Sequence, residues 1–234
     1  SSPLGCEGSR EAASPAPMPG TYRAVAGYGL NPYDPRRDPR EGTNDGRQAL
    51  MLGGSSSGIG TAASFWAANV GTETSGSILV PANLMMLVGI KPTVGRVSRY
   101  GIIPITADQD TAGPMARTVA DAALLLGVLE GSSRDPNDPA TGRCEAPPQR
   151  DYTRFLDRAA LKGARIGVPR AFFYERVALP GTTALRGGLS PGRPAAMPDA
   201  IAGLRPEGAV GVDPAAIPSV VESDPDRNFL ARGD

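Results

Sequence analysis

Gly53-Gly54-Ser55-Ser56-Ser57-Gly58-Ile59-Gly60, followed after one short apolar run by Gly71-Thr72-Glu73-Thr74-Ser75-Gly76-Ser77-Ile78, is the stretch on which the reading of this chain turns. Two serine clusters, each lined by glycine, lie one helix apart. Glycine lets the backbone approach a ligand closely or adopt conformations closed to other residues. Serine brings a hydroxyl that serves as nucleophile or proton carrier. A flexible Gly/Ser linker would not be flanked by apolar runs and repeated at a second site.

Working outward, residues 48–52 form a short apolar run expected as a strand. Residues 61–70 are Ala-rich and expected as a helix anchored in the core by Trp66. Residues 77–88 are expected as a second helix, because Pro81 falls near its first turn. Residues 96–105 alternate loosely around Gly101 and Pro104 and read as strand and turn. Residues 118–129 carry the clearest helix signal: Thr118 as cap, Asp121 at the capping-box position and Gly131 as terminator. Ala120, Ala123, Leu124 and Val128 form its expected buried face. Arg117 and Asp121 have the spacing of a helix-start ion pair.

These signals divide the chain into an irregular Pro/Gly/Arg-rich segment (1–49), an ordered core (50–131), a polar linker (132–150) and the partial remainder of the same domain (151–234). In that remainder, 165–168 and 209–212 read as short strands, 198–207 as a short helix and 180–197 as loop. Alternating strands and helices imply an α/β fold, a mixed twisted sheet flanked by helices, with both serine clusters at one edge of a helix–sheet cleft.

Composition narrows the chemistry. The 234 residues carry 24 basic and 24 acidic side chains, so nothing points to a nucleic-acid or membrane partner. No apolar run approaches the ~18 residues that span a bilayer, and there is no secretory leader pattern, which favours a cytoplasmic setting. The chain opens on Ser1 rather than Met, as a processed chain or a fragment would. Histidine is absent, which removes Ser-His-Asp and Cys-His mechanisms and His-ligated metals. Cys6 and Cys144 form no metal-ligand pattern. No cofactor and no metal are expected, and the oligomeric state is open. A serine nucleophile here needs lysine or a carboxylate as base. The lysines are Lys91 and Lys162; the other basic residues are arginines, which stay protonated.

Two further segments join the serine clusters. Gly89-Ile90-Lys91-Pro92-Thr93-Val94-Gly95-Arg96-Val97-Ser98-Arg99-Tyr100-Gly101 resembles the Gly-x-Lys-Pro-Thr-x-Gly-x-Val-Ser segment of the amidase signature family, and Asp110-Thr111-Ala112-Gly113-Pro114-Met115-Ala116-Arg117 resembles its Asp-x-x-Gly-Pro-Met-x-Arg segment. With the serine clusters these make four ordered motifs. The resemblance covers the central portion of a family member. It implies an amidase that hydrolyses a small-molecule carboxylic amide through a serine acyl-enzyme, with a Ser–cis-Ser–Lys triad. By position, Ser77 matches the nucleophile and Ser55 the serine that follows a cis peptide bond and relays the proton. The backbone N–H groups of Thr74, Ser75, Gly76 and Ser77 match the oxyanion hole, and Ser56, Ser57 and Asp110 are supporting residues.

Three departures accompany the resemblance. The family's catalytic lysine lies upstream of the cis-Ser, and residues 1–54 contain no lysine; Lys91 belongs to another motif and reads as a surface or capping residue. The 61–70 spacer is about two residues short, and two residues turn a helix through about 200°. Ser75 replaces the usual Gly or Asp, and Leu79 stands where many members have Arg. The 234-residue chain is therefore expected to be weak or inactive alone. Two alternatives follow: a non-catalytic fragment or degenerate homologue, and an NAD(P)-binding short-chain-dehydrogenase-like domain, since Gly54-x-x-x-Gly58-x-Gly60 after an apolar run could cradle a pyrophosphate. The second lacks the Tyr-x-x-x-Lys its chemistry requires.

Overall fold

The computed structural model describes residues 22–23, 27–34, 52–183, 185–189 and 193–231. Residues 48–51 of the expected strand and most of segment 1–49 lie outside them; Leu52 is described and is not in a strand. The chain divides into two compact units, Ser1–Leu156 and Asp157–Asp234.

In the first unit, β1 (Tyr22–Arg23) pairs antiparallel with β2 (Gly27–Tyr28). There follow α1 (Gly58–Ala62), β3 (Ala68–Glu73), α2 (Leu79–Leu84), β4 (Val88–Gly89), β5 (Thr111–Ala116) and α3 (Val119–Glu130). The central sheet has the order β3-β5-β4 and is antiparallel throughout. All six residues of β5 are buried. Its Gly113-Pro114 pair would ordinarily argue against a central strand, because proline lacks the ladder N–H. Here the Pro114 carbonyl accepts the Ile90 N–H at 3.0 Å, and a Cβ on Gly113 would lie 2.1 Å from the Ile90 carbonyl oxygen. The Gly-Pro motif thus marks a close backbone crossing that a side chain would block.

One apolar cluster, Leu52, Ala62, Ile78, Ala82, Met85, Leu87 and Met115, lies beneath the two serine segments. A second joins Val97, Ala112 and Leu126. Residues 31–34 are tied in as well: Asn31 Nδ2 donates to the Leu84 carbonyl at 2.9 Å and the Tyr33 hydroxyl to the Ala62 carbonyl at 3.3 Å.

α3 forms as its signals require. Thr118 is extended, its Oγ1 accepts the Asp121 N–H at 3.1 Å, and Gly131 ends the helix at φ 72°. The buried face differs from expectation: it is Ala122, Ala123 and Leu126, whereas Ala120, Leu124 and Val128 are exposed. The helix is apolar nearly all round, so periodicity alone could not fix its rotation. Arg117 Nη1 bonds Ser64 Oγ at 2.9 Å, and Asp121 Oδ2 accepts the Thr118 hydroxyl, in place of an Arg117–Asp121 pair.

The expected 61–70 helix is a five-residue helix, a turn and a strand. β3 pairs with β5 from Ala68 to Glu73, so tertiary pairing overrides the helix preference of the alanines. In the turn 63–67, Ser64 adopts φ 62° and the Phe65 N–H bonds the Gly60 carbonyl. Trp66 is 49% exposed rather than a core anchor; its ring lies against Gly60. α2 is shorter than 77–88 because Met86 takes φ 55° and breaks the helix before β4. Residues 96–105 contain turns without a strand.

The segment 89–101 is fastened to 130–152 by ion pairs. Arg96 bonds Glu130 at 3.0 Å and the Tyr152 hydroxyl at 3.1 Å. Burial, reinforced by the Tyr152 hydroxyl's bond to Glu130, pushes the Tyr152 phenol up to about 12. Arg99 grips Asp138 through Nε (2.9 Å) and Nη2 (2.7 Å), and Ser98 Oγ donates to Asp135 at 2.6 Å. Residues 132–150, read as a linker, lie in this first unit and include two short 3-10 turns.

In the second unit, β6 (Arg165–Gly167) precedes an antiparallel hairpin of β7 (Arg176–Ala178) and β8 (Leu185–Gly187), then α4 (Arg193–Leu204), β9 (Val210–Val212) and α5 (Pro218–Val221). β6 pairs parallel with β9. The strands near 165 and 210 are where the sequence places them. The expected loop 180–197 holds β8 and the first turn of α4, which starts five residues before the expected Pro198. Proline marked a start, but it stands inside the helix. The chain is α/β, with small antiparallel and parallel sheets flanked by helices.

Candidate active site

The two serine segments meet backbone to backbone. The Ser55 N–H donates to the Ser77 carbonyl at 2.8 Å. Gly54, at φ 52°, lies so close that a Cβ there would come within 2.5 Å of Ser77 Cα. Gly113 is needed for contact alone, whereas here the chain needs glycine for both conformation and contact.

Ser55 is 7% exposed, and its hydroxyl is bonded in both directions to one residue. Ser55 Oγ donates to the Thr72 carbonyl at 3.0 Å and accepts the Thr72 N–H at 2.9 Å. A Cβ on Gly71 would sit 2.9 Å from that hydroxyl oxygen, so Gly71 opens the space it occupies. The peptide bond entering Ser55 is trans; among the described residues the cis bond is Asp213–Pro214. This departs from the cis geometry the resemblance implies for Ser55. A non-proline bond stays trans unless its surroundings over-determine the alternative.

Ser57 belongs to a neighbouring polar network. Its Oγ donates to the Val70 carbonyl at 3.3 Å and accepts from Asn69 Nδ2 at 2.8 Å, and Asn69 Oδ1 accepts from Thr61 at 2.6 Å. The Ser56 N–H bonds the Gly54 carbonyl at 2.9 Å, which tightens the turn after Ser55.

Ser77 is half-buried, and among the described residues its hydroxyl has no hydrogen-bond partner. The loop bearing it is fastened from two sides. Asp110, 6% exposed, accepts the Thr74 hydroxyl on Oδ1, while Oδ2 accepts the N–H groups of Ile105 (2.5 Å) and Thr106 (3.1 Å). Glu73, 3% exposed at the end of β3, accepts from Gly76 N–H at 2.6 Å, Ile78 N–H at 2.8 Å and Leu79 N–H at 2.9 Å. Of the four N–H groups matched to an oxyanion hole, Gly76 is thus engaged by Glu73. Those of Thr74, Ser75 and Ser77 make no such bond among the described residues.

The structure joins Ser55 and Ser77 through backbone, but their hydroxyls are not bonded to each other. Of the two lysines, Lys91 Nζ donates to the Gln109 carbonyl at 3.1 Å, and Lys162 is part of the second unit. Among the described residues no group of His, Cys, Asp or Glu is disposed to hold a metal, and no helix is long and apolar enough to cross a membrane. The dinucleotide-loop alternative finds no support. Among the described residues the strand after α1 pairs antiparallel with β5, whereas a dinucleotide loop sits in a parallel β-α-β unit.

Glu73, Thr72 and Asn69 were not singled out from the sequence. A signal for Glu73 existed, because it is the one charged residue between Gly53 and Ile90. A lone acid in so apolar a stretch is expected to be buried with several donors.

Comparison with known proteins gives one family. The family model described as Amidase matches residues 23–219. A glutamyl-tRNA(Gln) amidotransferase subunit of Chloroflexus aurantiacus is 42% identical over 185 residues, covering 78% of this chain and 32% of that protein. The native peptide amidase of Stenotrophomonas maltophilia superposes with a TM-score of 0.64 at 37% identity, over 84% of this chain and 35% of the other. An amidase family protein from Bacillus anthracis gives a TM-score of 0.66 at 33% identity, over 87% and 35%. The chain spans about a third of the length of these relatives.

Proposed function

This chain belongs to the amidase family, and from that premise we propose that it carries the nucleophile segment of an enzyme that hydrolyses a carboxylic amide through an acyl-enzyme on Ser77. The observation that carries this reading is the loop 74–79: its backbone is held by the buried Glu73 carboxylate and its Thr74 side chain by the buried Asp110, while the Ser77 hydroxyl is left without a partner among the described residues. A nucleophile needs a fixed approach line and a free oxygen.

In this reading Ser77 Oγ attacks the amide carbonyl carbon. Its proton passes by way of Ser55 to a lysine supplied from outside residues 1–234, and then to the departing amine. The carbonyl oxygen, now anionic, is met by N–H groups of the loop. Thr74, Ser75 and Ser77 are the available donors, each worth ~3–4 kcal/mol to the transition state. Ser55 must exchange its bond to Thr72 for one to Ser77. Water then cleaves the ester by the same route. The partner is a small-molecule amide, and no cofactor enters.

Among the described residues no base is bonded to Ser55, and the isolated 234-residue chain is expected to turn over amides at or near background. The test is acyl-enzyme trapping with an amide panel, on this chain and on a version extended by its upstream coding sequence. A mass increase on the peptide containing Ser77, in the extended form alone, supports the reading. No adduct in either form would sink it and favour a non-catalytic homologue.

A further inference from the structure

We propose that Glu73 is the positioning residue of the nucleophile loop: its single carboxylate brackets Ser77 and excludes Gly76 from the set of oxyanion donors. This inference rests on Ser77 being the nucleophile. Both carboxylate oxygens are used. Oε1 takes the N–H before Ser77, from Gly76 (2.6 Å), and Oε2 takes the two after it, from Ile78 (2.8 Å) and Leu79 (2.9 Å). The N–H of Ser77 itself is the one in the run 76–79 that Glu73 leaves alone.

Four features make the bracket specific. Glu73 is the last residue of β3, whose register on β5 fixes its Cα opposite Thr111. Its side chain is 3% exposed, so water does not compete for the three N–H groups. Among the described residues it has no cationic partner, so the loop amides are its means of solvation. Gly76, at φ 88°, turns the chain so that N–H groups from both sides of Ser77 converge on one carboxylate. A buried carboxylate without these donors would be costly, and the donors without it would be unpaired, so each holds the other in place. The consequence for chemistry is that the loop is set before substrate arrives, with the Ser77 N–H and hydroxyl both left out of the clamp.

Replacing one carboxylate oxygen by an amide group tests this directly. Glu73→Gln keeps the shape but turns an acceptor into a donor that faces N–H groups. Glu73→Asp keeps the charge and shortens the reach. Two readouts separate the clamp from the chemistry. In the 234-residue chain, amide hydrogen exchange at Gly76, Ile78 and Leu79 should accelerate at least ~10-fold in Glu73→Gln, with α3 amides unchanged as the control for folding. In the upstream-extended form, fluorophosphonate labelling of Ser77 should slow by ~100-fold in Glu73→Gln, as expected when a reacting group is displaced by about 1 Å, with the concentration for half-saturation little changed; Glu73→Asp should recover part of the rate. Unchanged exchange at the three amides, or undiminished labelling in Glu73→Gln, overturns the proposal. If exchange accelerates while wild type does not label at Ser77, the clamp stands as a structural device, the positioning role is overturned, and the nucleophile assignment fails with it.

Discussion

In the Ser55 segment the hydroxyl is tied twice to the Thr72 backbone, whereas in the 74–79 segment the backbone is tied and the Ser77 hydroxyl has no partner among the described residues. The same residue type is thus prepared for different work. A hydroxyl with both bonding directions engaged is suited to pass a proton along a fixed line. A hydroxyl without bonds on a rigid loop is suited to attack. The difference comes from neighbours: Gly71 leaves room for Ser55 Oγ, and Glu73, two residues on, gathers the loop around Ser77.

The sharpest way to break that contrast is to remove each hydroxyl in turn in the upstream-extended protein. Ser77→Ala should abolish acyl-enzyme formation, leaving hydrolysis lower by at least ~1,000-fold. Ser55→Ala should leave Ser77 reactive but ~100-fold slower, the scale of losing one proton carrier. Equal losses would show that the two serines act as one unit, and a larger loss at Ser55 would reverse their roles.

The contact between the segments can be broken without touching either hydroxyl. Gly54→Ala places a methyl against Ser77 backbone at positive φ and should cost about 3 kcal/mol in unfolding free energy. Gly101→Ala, at φ 81° with open space around it, should cost about 1 kcal/mol from conformation alone. Denaturant titration of both variants separates the two contributions. Similar costs would mean that the Gly54–Ser77 approach is not tight.

Away from the serines, the Arg99–Asp138 pair fixes segment 89–101. The Arg99 guanidinium beside Asp138 holds its carboxyl well below the usual carboxylate range, against the opposing effect of burial. A folded value below the unfolded one means stability that is complete above the ordinary Asp range and is lost as pH falls through it toward the folded value. Asp138→Asn should lower stability at pH 7 by about 2–4 kcal/mol, since Asp138 is 5% exposed and its partner 21%. It should also flatten the fall in stability below ~pH 4. A variant with an unaltered acid limb would show that other carboxylates control it. The smallest effect is expected at Val128→Ser, within ~0.5 kcal/mol, because Val128 is exposed on α3.

That last position shows where the sequence was readable and where it was not. Caps and terminators are local, so Thr118, Asp121 and Gly131 placed α3 from sequence. Which side of α3 is buried depends on β5 and Tyr152, so Leu124 and Val128 were misassigned. The family and the pairing of the serine segments were legible because Gly54 and the Gly-Pro of β5 mark close backbone approaches, and Gly53 and Gly76 positive-φ turns, that only certain residues permit. The turn at 63–67 was not legible, since an alanine-rich run carries no sign that a strand partner will capture its second half. Glu73 was visible as the lone charge of its stretch, but three amides converging on it is a three-dimensional fact.

The central claim is that Ser77 is the nucleophile and that its base lies outside residues 1–234. Fluorophosphonate labelling with mass mapping, run in parallel on this chain and on the upstream-extended form, addresses both parts. The account predicts fast, stoichiometric labelling of Ser77 in the extended form and labelling near background in the 234-residue chain. Equal and rapid labelling of the short chain at Ser77 would contradict the placement of the base, and labelling at another serine would contradict the nucleophile.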